Sequence, residues 1–211
     1  SYIKTIQIDL MTIPHIYCIT LYNSDERIRF AKNQLDCLNL KYDLFYGVDG
    51  SKSNLKVIND NDWEPIQMNS GRIGCFLSHV MLWNCILYSN HDEVLILEDD
   101  FIFDVSFDKI LEYKNELPID WDLFFVGYCC ETDTKMKPVS ENILTGDGIC
   151  THGYFINKKC ISKLLPMIFP VDLPIDVKMR TLYDKLNVYF TKEKCILNGS
   201  LNKKYESKTS N

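Results

Sequence analysis

Glu93–Asp100 reads EVLILEDD. The run Glu93–Leu97 is almost wholly apolar and too short for a helix, which marks a strand buried on both faces. It stops against three acids, Glu98, Asp99 and Asp100. Ligands of α/β sheets collect beyond the carboxyl ends of strands, so this stretch predicts a central strand and the place where chemistry sits. If the extended geometry continues, residues two apart point the same way; Glu98 and Asp100 then face one point, with Asp99 opposed. Two carboxylates at one point repel unless a divalent cation lies between them, and such oxygen ligands suit manganese or magnesium. The plain alternative is a solvated strand end or a capped turn.

Upstream, Ile13–Tyr22 (IPHIYCITLY) has the composition of a buried strand. Asn23, Ser24 and Asp25 offer a cap, and Ile28, Ala31, Leu35 and Leu38 keep helical spacing to about Leu40. Tyr42–Val48 reads as a second strand, broken by Gly47 and Asp49-Gly50, and 50–70 as a long polar loop. Gly71–Tyr88 is the clearest helix, with Ile73, Phe76, Leu77, Val80, Trp83, Asn84 and Leu87 on one face. His79 falls at the edge of that stripe and Ser78 outside it.

Downstream, the pattern gives a helix over Ser106–Leu117, a strand over Asp122–Gly127 and a turn-rich stretch over 129–148. A strand over Ile149–Ile156, a helix over Lys158–Leu165 and a last helix near Ile175–Leu186 follow. Val188–Phe190 and Cys195–Leu197 are weak strands, and from Ser200 onward the chain reads as a loose tail. Alternation of strands and helices predicts an α/β fold with a mostly parallel central sheet flanked by helices. The 211 residues suggest one domain over 1–211, with a core over about 13–198.

Composition narrows the function classes. Apolar residues make up 46% and aromatics 12%, enough for a packed core and too many for a disordered chain. The net charge of −6 argues against nucleic acid as a partner. No apolar run approaches the ~18 residues of a transmembrane segment, and SYIKTIQIDL does not look like a secretory leader. The nine cysteines form no CxxC pair and mostly sit in apolar segments, which reads as buried free thiols in the cytoplasm or another reducing compartment. The four histidines show no ligand spacing with these cysteines, which argues against zinc. A single Ala beside 22 Ile, 19 Lys and 16 Asn points to an AT-rich genome; for a virus the compartment would be the host cytoplasm. No GxGxxG, GxxxxGK[ST] or GxSxG occurs, so dinucleotide, P-loop and hydrolase-elbow sites are disfavoured.

Four segments resemble glycosyltransferase family 25, the lipooligosaccharide and collagen-type sugar transferases. IYCITLYNSDERI is similar to its opening strand and Ser-x-x-Arg turn. GRIGCFLSHVMLW is close to its Gly-x-Ile-Gly-Cys-x-x-Ser-His helix, and VLILEDD to its Ile-Leu-Glu-Asp-Asp strand end. THGYFINKKCISKLL is similar to its Gly-Tyr strand and following helix. They run in family order over 16–165. One departure is Arg72, where the family often has an acid. The resemblance implies a GT-A-like fold, a nucleotide-sugar donor, a metal at the acid cluster and inversion at the anomeric carbon.

With it come expected roles. Glu98 and Asp100 would hold the metal, with His152 as a third candidate. Arg27 would meet the diphosphate or the uracil, and backbone groups of Thr20 and Leu21 a base edge. Ser78, His79 and Asp99 would line or support the donor pocket. An inverting transfer needs a base for the acceptor hydroxyl. Asp176, in the first turn after Pro174, is preferred over Asp172, Glu131 and Asp133; a charge favouring the helix start is the plain alternative. The reading is a metal-dependent hexosyltransferase using a UDP-sugar and a hydroxyl on a glycan, lipid-linked or protein acceptor. A sugar nucleotidyltransferase needs a Gly-rich loop that NSDER lacks. A non-catalytic binding domain is the remaining alternative. Asn198-Gly199-Ser200 also fits a glycosylation acceptor pattern.

Overall fold

The computed structural model describes residues 13–52, 68–130 and 135–200. Glu131 and Asp133, most of the loop expected over 50–70, and the expected tail beyond Ser200 lie outside the described residues.

The chain runs β1 (His15–Thr20), α1 (Asp25–Cys37), β2 (Tyr42–Tyr46), a 3-10 turn (Gly50–Lys52), α2 (Ser70–Leu87) and β3 (Glu93–Glu98). Then come β4 (Phe101–Phe103), α3 (Phe107–Lys114), β5 (Leu123–Cys129), β6 (Lys137–Pro138), β7 (Ile143–Thr145) and β8 (Ile149–Asn157). The last elements are α4 (Lys158–Leu164), α5 (Ile175–Arg180), a 3-10 turn (Tyr183–Lys185), β9 (Val188–Thr191) and β10 (Ile196–Asn198).

Among the described residues, eight strands form one sheet in the order β2-β1-β3-β8-β5-β9-β7-β6, and β4 pairs with β10 apart from it. Strands β2, β1, β3, β5, β9 and β6 point the same way, while β8 and β7 run against them. The sheet is thus mostly parallel, as expected. The strand read at Ile149–Ile156 is inserted antiparallel between β3 and β5. Strand β3 explains its own composition. Val94 and Ile96 pack on one face with Phe76, Trp83 and Tyr154. Leu95 and Leu97 pack on the other with Ala31, Leu35 and Phe155.

Several expectations change. Helix α1 buries Ala31 and Leu35, but Leu38 is its exposed C-cap, and Ser24 makes no side-chain cap bond. Helix α2 is buried around most of its girth: Leu82 and Ile86 join the core, Ser78 is also buried, and Asn84 faces out. The last helix is a short α5 followed by a 3-10 turn. Strands β4, β6 and β7 carry no sequence signal at their length. The cysteines are not all free: Cys129 and Cys150 form a disulfide. They meet because Cys129 lies opposite Ile149 where β5 bulges against β8, a proximity that spacing along the chain does not show. Among the free thiols, Cys18, Cys160 and Cys195 are buried while Cys37, Cys85 and Cys130 are exposed.

One close approach positions everything that follows. A Cβ on Gly74 would lie 2.6 Å from the Val48 carbonyl oxygen and 2.7 Å from the Gly50 nitrogen. A Cβ on Gly50 would strike the Ser70 carbonyl. Two glycines therefore let α2 abut the turn after β2. Gly74→Ala forces backbone apart and is expected to cost about 1–3 kcal/mol, the usual penalty of overpacking. Urea unfolding should show a lower midpoint; an unchanged midpoint would mean that the contact is not needed.

Candidate active site

The carboxyl ends of the parallel strands β1, β2 and β3 open on one pocket, walled by the start of α2. Thr20, Leu21, Arg27, Ser78, His79 and Asp99 all line it, as does Glu98. Asp100, His152, Asp172 and Asp176 do not.

The acid cluster does not continue as a strand. Strand β3 ends at Glu98, and Asp99 and Asp100 lie in a turn. The two-residue alternation therefore does not apply, and each acid takes its own partners. Asp99 accepts from Thr20 Oγ1 at 2.7 Å and from Arg27 Nη1 at 2.8 Å. Asp100 accepts from Ser200 Oγ at 2.5 Å and has Arg27 Nη1 at 3.8 Å. Arg27 Nη2 donates to the same Ser200 hydroxyl at 3.1 Å. Ser200 of the acceptor-like tripeptide is thus engaged inside the fold. The guanidinium is a support for two carboxylates in this state, and its side chain faces the pocket wall.

Asp100 is buried, and its Oδ1 has no hydrogen-bond partner. Burial, aided by the nearby Glu98 carboxylate and opposed by Ser200 and Arg27, pushes its carboxyl up to about 6. A buried carboxylate with an orphaned oxygen and too little positive charge around it suits a hard cation, so the residues fit a divalent metal at this turn.

Glu98 belongs to a second cluster. Burial raises its carboxyl, but hydrogen bonds from His79 and Thr151 outweigh that and hold it below its usual range. Thr151 Oγ1 donates to Oε1 at 2.5 Å, and His79 Nε2 lies 3.3 Å from the same atom. The His79 tautomer follows from its neighbours. Trp83 Nε1 can only donate, and does so to Tyr154 Oη at 3.0 Å; Tyr154 then donates to His79 Nδ1 at 2.8 Å, leaving Nε2–H to face Glu98. His79 is wholly buried rather than at the edge of a stripe.

Ser78, read as lying outside the apolar stripe, is buried as well. It donates to the Gly74 carbonyl at 2.6 Å and accepts from Val48 N–H at 2.8 Å, so it ties α2 to the turn after β2. Cys75, Val48, Asp49, Gly50 and Ser70 also line the pocket and were not singled out from sequence. The available signal was the Asp49-Gly50 turn at the end of a strand parallel to β1.

Asp176 sits half-buried at the start of α5, fixed by Cys150 N–H at 3.1 Å and Val177 N–H at 2.9 Å. Burial raises its carboxyl, with Glu98 adding to the rise and the Val177 and Cys150 amides opposing it. Asp172 is paired with Lys178 at 2.7 Å. His152 is buried with Nε2 on the Ile196 carbonyl at 3.1 Å, and Nδ1 has no partner; burial lowers its pKa. Arg72 lies in the first turn of α2, its N–H on the Asn69 cap, and does not line the pocket.

Known proteins resemble this chain in sequence. A "Glycosyltransferase 25 family member" of Aedes aegypti is 32% identical over 174 residues, covering 74% of this chain and 28% of that protein. "Procollagen galactosyltransferase 1-A" of Xenopus laevis is 28% identical over 198 residues, covering 84% of this chain and 32% of that protein. The chain thus spans about a third of the length of these curated relatives. The solved glycosyltransferase GlyE of Streptococcus pneumoniae TIGR4 overlays with a TM-score of 0.49 at 13% identity, over 88% of this chain and 54% of that one. Likeness at that level carries no inference about chemistry. The model of glycosyltransferase family 25 (LPS biosynthesis protein) matches residues 13–179, most of the chain, and the chain belongs to that family.

Proposed function

We propose that this chain is the catalytic domain of a hexosyltransferase that uses a UDP-sugar, a manganese or magnesium ion and an acceptor hydroxyl, with inversion at the anomeric carbon. The observation that carries the reading is the convergence of six expected donor residues on one pocket beside a carboxylate with an orphaned oxygen. Relatives named procollagen galactosyltransferases favour galactose as the sugar and a protein hydroxyl as the acceptor.

In this reading Asp100 and Glu98 would hold the cation, which would supply positive charge to a departing UDP. The Thr20 and Leu21 backbone at the end of β1 meets the base edge, and Arg27 is placed to turn from Asp99 to the diphosphate. Asp176 takes the proton of the attacking hydroxyl as the new glycosidic bond forms and the bond to UDP breaks. A carboxylate raised by burial and held by two amides is suited to that step.

The donor and the metal are tested first, the base second. First, UDP should raise the melting temperature with manganese and much less with EDTA; equal stabilisation by GDP or CDP would reject the uridine assignment. The carboxyl of Asp100 loses its proton only above about pH 6, so manganese affinity should fall as pH drops below that value and level off above it. Its folded pKa lies above the unfolded 3.8, so stability falls as pH rises from about 4 through about 6, where the buried carboxyl ionises. Asp100→Asn should therefore melt higher than the parent at pH 8 without metal, yet gain nothing from manganese. A parent-like manganese response in that variant rejects the site.

Second, Asp176→Asn should lower the transfer rate ~10²–10⁴-fold while leaving UDP binding nearly unchanged. A near-normal rate with a slightly lower melting temperature would make Asp176 a helix-start charge only.

A further inference from the structure

Cys75 and His79 stand four residues apart on α2, one turn above the other, and Glu98 closes on them from the end of β3. One ligand atom from each of the three lies within 4.8 Å of the others. The sequence argument against zinc counted no ligand spacing between Cys and His, and this pair has one. We propose that Cys75, His79 and Glu98 form a second metal site on the pocket floor, one that takes zinc or a similar borderline cation rather than manganese.

The geometry is close to what zinc needs. Metal–ligand bonds of ~2.0–2.3 Å place tetrahedral ligands about 3.3–3.8 Å apart. His79 Nε2 and Glu98 Oε1 are already 3.3 Å apart, and the Cys75 thiol lies within 4.8 Å of the group, so it is the thiol that has to draw closer. The donor set is one sulfur, one imidazole nitrogen and one carboxylate oxygen, which zinc prefers and manganese does not.

The supporting shell is present too. Thr151 orients the Glu98 carboxylate. Once Nε2 binds the metal the imidazole proton moves to Nδ1, which then donates to Tyr154 Oη as that hydroxyl turns its own proton away. Loading then releases the Cys75 proton alone. All three residues line the pocket, so a fourth coordination position opens into it. The hard-cation turn is separately built, since Asp99 and Asp100 take their partners from Thr20, Arg27 and Ser200. Glu98 is common to both sites, and zinc on the floor would compete with the cation proposed above.

The test uses zinc and cobalt(II) alone, without nucleotide, so it stands whether or not the sugar-transfer reading holds. The parent should bind a single zinc against a competing chelator dye and, with cobalt(II), show a sulfur-to-cobalt charge-transfer band. Cys75→Ser is nearly isosteric at a half-buried position; it should remove the band and weaken zinc binding by about tenfold or more. His79→Gln should weaken it similarly, and if that variant does not fold, Cys75→Ser alone decides. Asp100→Asn should keep the band. Undiminished zinc binding in folded Cys75→Ser would put the metal elsewhere, at the Asp100 turn or on exposed Cys37, Cys85 or Cys130, and overturn the proposal, as would absence of the band in the parent.

Discussion

Three carboxylates at the end of a buried strand have to be compensated, and that requirement ties the molecule together. Removing a charge from water costs several kcal/mol unless partners replace the lost hydration. Glu98 draws His79 from α2 and Thr151 from β8. Asp99 draws Thr20 from β1 and Arg27 from α1. Asp100 draws Ser200, just past β10. Five segments distant in sequence thus converge because one strand ends in acids. Compensation is complete for Glu98 and Asp99 and incomplete for Asp100, whose second oxygen is orphaned. The incompleteness is local, and it lies where a cation would be most favoured.

What the sequence made legible follows from how local each signal is. The central strand and α2 announce themselves because burial on both sides leaves continuous apolar composition. The pocket-lining residues Thr20, Leu21, Arg27 and Asp99 were legible because they lie at or just past strand ends. What stayed hidden depends on distance along the chain. Nothing near Ile149–Asn157 says that β8 inserts antiparallel between β3 and β5, and so nothing shows that Thr151 reaches Glu98 or that Cys150 reaches Cys129. Period-two reasoning misplaced Asp99 and Asp100 because the chain turns right after Glu98. Cys75 was passed over because α2 is buried on several sides and has no single polar face.

The Gly50–Gly74 approach shows how backbone can set the size of a site. A pocket between a strand end and a helix is only as narrow as their closest contact permits. Here the contact is backbone against backbone, locked by the Ser78 hydroxyl between Gly74 and Val48. Side chains on α2 are thereby held at a fixed depth below the pocket mouth, Cys75 and His79 among them.

The partnership of Ser200 with Asp100 has a consequence for the order in which the molecule comes into being. Strand β10 pairs with β4, Gly199 N–H bonds the Asp100 carbonyl at 2.7 Å, and Ser200 closes on the carboxylate. A polypeptide emerging from the ribosome can assemble β1, β3 and β8 long before residue 200 leaves the exit tunnel. The hydroxyl and the amide that hold its acid turn are made about a hundred residues after the turn itself, so Asp100 lacks these two partners until the segment after β10 arrives.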